Sequence, residues 1–316
     1  MMVKEFRRIG THDGKFHADE VMATAILKEI FEVEVVRTRD TKVLDKLDIV
    51  YDVGGGELDH HGPDKVYRED GIPFAACGLV WNKFGRQVLK HKDSSLSEDK
   101  VEELLSHIDR KLIKGIDALD NGIWIDTTEI PLMNISSIIA GFNPNWKSDK
   151  DENEAFHEAV QVASTVLKNA IEKRLSVFKA RDCVVKAYES RETKELLILK
   201  EYCPYGETLR DIDENNEVLF VIYPRKDSFA MQTVRNDDRE DKKKLPKAWA
   251  GKSDEELAKV TGVKDAIFCH TGRFIATAGS LEGIMAMAIL AIAEPEDIAS
   301  SRKLGFLKRL IKRIIK

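Results

Sequence analysis

The sequence predicts an α/β protein organised as two domains, and three observations lead there. The chain is 316 residues long, more than a single hydrophobic core commonly organises. Its N-terminal part alternates short β-branched runs with segments of helical period, the pattern of a parallel sheet with helical crossovers. Beyond about residue 181 the texture changes to closely spaced strand-like runs, which suits a smaller mixed-sheet α+β domain. With 43% hydrophobic and 33% charged residues the chain is neither disordered nor fibrous. It also contains no run of about 18 uncharged apolar residues that would span a bilayer.

The elements follow in order. Phe6–Thr11 reads as a short strand, and Asp19–Phe31 as a helix because Val21, Met22, Ala25, Ile26 and Ile30 share one broad face. Val33–Thr38 and Ile49–Val53 are β-branched strands. Gly78–Lys90 and Lys100–Lys114 continue as helices, with a short one at Asn134–Gly141, and Glu152–Arg181 is a long helix joining the domains. Strands are then expected at Cys183–Tyr188, Glu195–Leu199, Val218–Tyr223, Phe229–Val234, Ile267–Cys269 and Phe274–Ala278, before an apolar helix Leu281–Ala293. Arg235–Lys244 is too charged for either state and reads as a solvated loop. The organisation is therefore residues 1–150, a connecting helix 151–181, a second domain 182–300 and a tail 301–316.

Charge is unevenly spread along this plan. From Ser301 to Lys316 there are seven Lys and Arg and no acid, which leaves −12 of the −5 total on the rest of the chain. The tail, with Leu304, Phe306, Leu307, Leu310, Ile311, Ile314 and Ile315 among its cations, reads as a basic amphipathic helix. It suits docking on the body, an arm along nucleic acid, or the only plausible membrane contact. An acidic body that must hold a polyanion needs local cations or metal ions. Cys77, Cys183, Cys203 and Cys269 are scattered singly, which argues against a zinc ribbon or disulfide framework and for a reducing compartment. The start lacks a secretory signal, so the expectation is an intracellular, cytoplasmic protein.

Histidine and aspartate concentrate where such a sheet binds ligands, at the carboxyl ends of its strands. The first group is Thr11-His12-Asp13-Gly14-Lys15-Phe16-His17-Ala18-Asp19-Glu20. A second is Asp52 before Gly54-Gly55-Gly56, a third is Asp59-His60-His61-Gly62, and a fourth is Asp117-Ala118-Leu119-Asp120. Asp117 and Asp120 are both expected at a strand end. Singly, each histidine suits a structural role, and Asp13 and Asp19 suit helix N-caps. Together, imidazole and carboxylate suit Mn, Fe or Zn, and shared carboxylates can hold two ions about 3.5–4 Å apart. Without cations, Asp19, Asp52 and Asp117 or Asp120 in one cleft would repel one another.

The order of these motifs resembles the DHH phosphoesterase superfamily. More closely, the His12–Glu20 segment, Tyr51-Asp52-Val53-Gly54-Gly55-Gly56-Glu57-Leu58-Asp59-His60-His61, Gly78-Leu79-Val80-Trp81 and Ile116–Ile123 resemble the MYG1-type family (UPF0160). So do Phe229–Val234, Leu245–Gly251, Thr261-Gly262-Val263 and Phe268-Cys269-His270, so the likeness runs from about Arg8 to Ala293. The resemblance implies a two-domain DHH-like fold and a metal-dependent hydrolase, a 3'-to-5' exonuclease on single-stranded RNA or a short oligonucleotide. It implies two divalent ions, manganese foremost, with iron, magnesium or zinc as alternatives. His12 and His17 would bind one ion, Asp19 and His60 the other, and Asp52 both, with Asp117 and Asp120 competing for the last place. His61 would meet the scissile phosphate with Asp59 behind it, Asp13 joining them as a catalytic candidate. Lys15, His270, Arg273 and Ser280 would contact substrate, with Trp249, Tyr205 and Phe274 available for stacking. The resemblance leaves a homodimer open, and nucleus or mitochondrion as compartments. Two rival readings are a hydrolase of small phosphates, which the acidic net charge favours, and a non-catalytic metal-holding scaffold.

Overall fold

The computed structural model describes residues 4–123, 132–236 and 240–294. The chain forms two compact units, Met1–Arg174 and Leu175–Lys316, and the division falls inside one long helix.

In the first unit β1 (Glu5–Thr11), α1 (Ala18–Ile30), β2 (Phe31–Arg37), α2 (Thr41–Leu44) and β3 (Ile49–Val50) follow one another. Next come α3 (Ala76–Lys92), α4 (Glu98–Ile108), a π-helical stretch Asp109–Ile113, α5 (Lys114–Asp120), α6 (Ile135–Ala140) and α7 (Glu152–Glu189). The three strands form a parallel sheet in the order β2-β1-β3, with Ile9 paired to both Val35 and Ile49. All three carboxyl ends therefore share one edge, and Thr11-His12 and Tyr51-Asp52 emerge there. Helix α1 is buried along most of its length, packing on α3 with Val21, Met22, Ala25 and Ile26 fully enclosed. Such all-round burial places its first-turn acids, Asp19 and Glu20, inside the protein rather than in water.

The second unit contains the end of α7, β4 (Leu196–Ile198), α8 (Gly206–Ile212), β5 (Phe220–Pro224) and β6 (Phe229–Thr233). A 3-10 turn Lys247–Trp249, α9 (Asp254–Thr261), β7 (Ala266–Cys269), β8 (Ile275–Ala278) and α10 (Leu281–Ala293) complete it. Its five-stranded sheet runs β4-β5-β6-β8-β7, with β4 and β5 parallel and the other pairs antiparallel. Alternation along β5 feeds two cores: Phe220 and Ile222 pack with Met231, Trp249 and Ile284, whereas Val221 and Tyr223 pack with Leu197, Leu209 and Val184.

The structure corrects three readings. Cys183–Tyr188 is not a strand but the end of α7: Ala180 and Val184 are buried and Ala187 packs beside them, a helical spacing that outweighs the β-branched pair Val184-Val185. The helix expected to stop at Lys114 runs through the π-helical stretch to Asp120, so Asp117 and Asp120 lie on a helix and not at a strand end. Helices α8 and α9, both of eight residues or fewer, were not expected from the sequence. The expected solvated loop includes residues 237–239, which lie outside the described residues, and so does the whole tail 301–316. No helix among the described residues is long and apolar enough to cross a membrane.

Candidate metal centre

The site grows from the carboxyl edge of the parallel sheet. Directly after β1, the buried His12 hydrogen-bonds the Asp13 carbonyl through Nδ1 at 2.9 Å. A carbonyl only accepts, so Nδ1 carries a proton, and Nε2 faces Glu20 Oε1 and Asp52 Oδ2, each 3.3 Å away. His17 stands at the N-cap of α1, and its backbone N–H donates to both oxygens of Glu20 at 2.8 and 3.0 Å. This capping arrangement fixes the first turn, and with it the fully buried Asp19. The His17 ring is 60% exposed, with Nδ1 4.0 Å from Asp120 Oδ1.

Asp52 follows β3 with φ of 60°, a left-handed conformation that costs a non-glycine residue about 1–3 kcal/mol and persists only where its surroundings enforce it. Its N–H donates to the Leu58 carbonyl, which folds the glycine turn back and brings Asp59-His60-His61 beside it. Asp59 then organises that tripeptide: Oδ2 accepts the Gly55 N–H at 2.8 Å, and Oδ1 accepts both the His61 N–H at 3.1 Å and His61 Nδ1 at 2.8 Å. His60 is held between acids, with Nδ1 3.2 Å from Asp52 Oδ1 and 3.9 Å from Asp19 Oδ2, and Nε2 3.0 Å from Asp120 Oδ2.

The electrostatics of this knot are severe. Burial pushes the Asp19 carboxyl well up, and the nearby charges of Asp52, Glu20 and Asp120 push the same way. Burial also raises Asp52, but His12 and His60 outweigh it and bring it down to about 2. Conversely burial lowers His12 and His60, yet Asp52 and Glu20 lift the first to about 10, and Asp120 and Asp52 lift the second to about 9. Protons on the imidazoles thus supply the positive charge that the carboxylates lack.

Four buried atoms here have no hydrogen-bond partner: both carboxylate oxygens of Asp19, Oδ1 of Asp52 and Nδ1 of His60. More than about nine in ten buried polar groups are bonded, and a desolvated carboxylate without a partner is costly. Potential ligand atoms of His17, Asp19 and Asp120 lie within 4.8 Å of one another, as do those of Asp19, Glu20 and Asp52, of His12, His17 and Glu20, and of Asp52, Asp59, His60 and His61. Carboxylate oxygens with imidazole nitrogens form a donor set for Mn, Fe or Zn, so these residues fit divalent ions.

Other residues named from the sequence are placed elsewhere. Asp117 is buried but turned to a different cluster: it accepts from Arg68 Nη2 at 2.6 Å, Gly78 N–H at 3.0 Å and Cys77 Sγ at 3.1 Å. A Cβ on Gly78 would lie 1.9 Å from Asp117 Oδ2, so glycine is required for that approach. Asp13 is exposed and paired with Arg39 at 3.4 Å, and Lys15 is exposed. In the second unit His270 Nδ1 accepts the Gly272 N–H at 2.9 Å, Arg273 Nη1 donates to the Leu245 carbonyl at 3.2 Å, and Ser280 Oγ caps α10 while donating to Asp265 at 2.5 Å. Trp249 is 3% exposed and unavailable for stacking, whereas Trp146 is 89% exposed with Lys147 Nζ 4.4 Å from its ring.

Three contributors were given no role by sequence reasoning. Glu20 closes the first His/Asp group of the sequence, and the structure makes it the capping partner of the His17 N–H. Arg37 and Asn143 were not legible, because their partners are remote in sequence. Arg37 Nη2 donates to the Gly14 carbonyl at 2.5 Å while its guanidinium covers Phe16 and Phe156. Asn143 bonds both the N–H and the carbonyl of Phe16, at 2.9 and 2.8 Å, and so pins the loop between His12 and His17.

The chain is similar over nearly its whole length to known proteins. Residues 8–292 match the model of MYG1_exonuc, described as an uncharacterised protein family (UPF0160). The chain is 28% identical to the MYG1 protein of Schizosaccharomyces pombe, covering 92% of this chain and 98% of that one. It is 30% identical to the MYG1 exonuclease of Mus musculus, over 91% of this chain and 85% of the relative. RecJ of Thermus thermophilus, solved with Mg2+, aligns at 13% identity over 96% of this chain and 55% of that chain, and its TM-score of 0.28 is too low to carry an argument.

Proposed function

Because the chain belongs to the MYG1_exonuc family (UPF0160), whose relatives include proteins named exonucleases, we propose that it is a metal-dependent phosphodiester hydrolase. Its reaction is the removal of mononucleotides from the 3' end of single-stranded RNA. The observation that supports the hydrolase reading is the buried, unbonded pair of Asp19 carboxylate oxygens beside Asp52, Asp120 and His60, a set of atoms that a cation would satisfy. Polymer and polarity rest on the family resemblance.

His12 Nε2, His17, Asp19, Asp52, His60 Nδ1 and Asp120 are the proposed ligands, with Glu20 added by its place in two of the clusters. Two divalent ions there, manganese foremost, supply an activated water and neutralise phosphate oxygens. Asp120 rather than Asp117 takes the contested place, since Asp117 already has three partners. Asp59 orients His61 by accepting from Nδ1, which leaves Nε2 of a 62% exposed ring to face a phosphate and donate to its oxygen when that nitrogen also carries a proton. Water adds to phosphorus, the bond to the 3' oxygen breaks, and that oxygen leaves with a proton. In the second unit His270 and Arg273 remain candidates for phosphate or ribose contact.

A second reading, hydrolysis of small phosphates, is favoured by the net charge of −5. A chelator-and-metal titration separates the two, using end-labelled single-stranded RNA, single-stranded DNA and a dinucleotide with wild type and His60→Ala. Activity restored by Mn2+, absent from the variant and releasing mononucleotides from the RNA 3' end is the expected result. Cleavage of the dinucleotide alone establishes the second reading. Metal binding with no cleavage of any substrate overturns both in favour of a scaffold.

A further inference from the structure

Beside the metal centre lies a cavity of about 210 Å³ walled by α1, α5 and α6. Its lining joins His17, Asp19 and Asp120 on one side to Ala18, Ile116, Leu119 and Ala140. Resting on the hydrolase reading above, we propose that this cavity receives the terminal nucleoside of the substrate, and that its size sets the product at one nucleotide.

The charge of the lining decides what can enter. Among the described residues no Lys or Arg lines the cavity, and its two carboxylates, Asp19 and Asp120, lie at the proposed ligand edge. A phosphate therefore belongs over the cations at that edge, where no Lys or Arg of the wall would draw it further in, so the group inside is the uncharged part of the substrate. The apolar side chains of Ile116 and Leu119 and the methyl groups of Ala18 and Ala140 suit the faces of a base and ribose. Ser136 also lines the cavity, and its hydroxyl has no hydrogen-bond partner. A buried hydroxyl in that state gains from a ribose hydroxyl or a base edge. A second nucleotide would carry its phosphate in among Ile116, Leu119 and Ala140, away from the ligands. One nucleoside fits these constraints, and the phosphodiester that follows it then lies at the ligands.

The experiment is calorimetric binding of adenosine 5'-monophosphate to the full chain in Mn2+, for wild type, Ala140→Trp and Ser136→Ala. Ala140 is exposed, so a larger side chain there fills the cavity without entering the core. Equal Mn2+ binding by each variant verifies that the fold and the ligands are intact. At least a tenfold loss of nucleotide affinity in Ala140→Trp, and a few-fold loss in Ser136→Ala, is expected. Retained affinity in Ala140→Trp overturns the proposal. Product analysis distinguishes the two levels: if Ala140→Trp releases mononucleotides from RNA as fast as wild type, the cavity is not the nucleoside site while the hydrolase reading stands. If wild type cleaves nothing yet loses nucleotide binding on Ala140→Trp, the cavity stands and the hydrolase reading fails.

Discussion

Asp117 and Asp120 lie three residues apart on α5, yet they belong to regions built on opposite principles. Around Asp117 every demand is met by the protein: Arg68 reaches both Asp117 and Asp109, with Cys77 and the Gly78 N–H completing the shell. Around Asp120 the acids Asp19, Glu20 and Asp52 crowd together, and both carboxylate oxygens of Asp19 are left without a hydrogen bond. Burial pushes Asp117 up to about 6 and Cys77 and Arg68 pull against it without offsetting it fully, whereas burial of Asp120 is outweighed by His60 and Asp19, which hold that carboxyl below its ordinary value. The lesson is that burial of a carboxylate does not mark a ligand site, whereas burial without partners does.

The largest effect that tests this contrast is a change of sign. Asp19→Asn should lower hydrolysis by more than the 10–100-fold typical of groups that merely orient ligands. The same substitution should raise the melting temperature of chelated protein, because it removes a carboxyl that burial and the charges of Asp52, Glu20 and Asp120 force to take up a proton on folding. Thermal unfolding in chelator reads it, and a lower melting temperature would sink the idea that this carboxylate awaits a cation. Asp117→Ala should act in the other direction on stability. Removing one partner of a buried pair costs about 3–5 kcal/mol and leaves Arg68 partly stranded, so chelated protein should unfold at markedly lower denaturant. If Asp117→Ala instead abolished Mn2+ binding in protein that remained folded, the two regions would be one.

This contrast also shows how far the sequence could be read. The parallel sheet and α1 were legible because β-branched runs and a helical apolar face are local patterns, and the DHH-like motifs sit at strand ends where such sheets bind ligands. What distinguishes Asp117 from Asp120 is not local. It depends on Arg68, some fifty residues away in the chain, and on a glycine in α3 that lets the carboxylate approach. Helix α5 itself was concealed by the preceding π-helical stretch, which breaks the helical period between Ile108 and Lys114. The Cys183–Tyr188 misreading has the same origin, for its β-branched pair is overruled by the packing of α7.

A smaller effect follows from the protons that stand in for cations. His12 and His60 are lifted from 6.5 to about 10 and about 9, so folded protein binds protons there that the unfolded chain has already lost. Their contribution to stability is full below pH about 6.5 and is lost as pH rises through 9 to 10. Chelated protein should therefore lose a few °C of melting temperature between pH 7 and 10, and binding of Mn2+ should release protons and tighten over the same range. Asp117 and Arg68 supply no such dependence, so Asp117→Ala should keep the alkaline slope while His60→Ala flattens it. A flat profile in chelated wild type would mean that the imidazoles are not charged by the acids around them.

The smallest prediction carries the contrast into the second unit. Ser280 was a substrate-contact candidate, but its hydroxyl accepts the Gly283 N–H at 3.0 Å and donates to Asp265, so it resembles Asp117 and not Asp19 in having its partners supplied. Ser280→Ala should cost about 1 kcal/mol through the lost N-cap, with KM for RNA unchanged. Denaturant unfolding and steady-state kinetics on one preparation read both quantities. A rise in KM without loss of stability would show that a hydroxyl with two protein partners can still be spent on substrate, and the rule drawn from Asp117 and Asp120 would then hold for carboxylates alone. Gly283 sharpens the same point, because a Cβ there would lie 2.2 Å from Asp265 Oδ1. That close approach holds the carboxylate against the start of α10, where the helix N-terminus favours negative charge, so Asp265 too is satisfied by fixed dipoles and needs no ion.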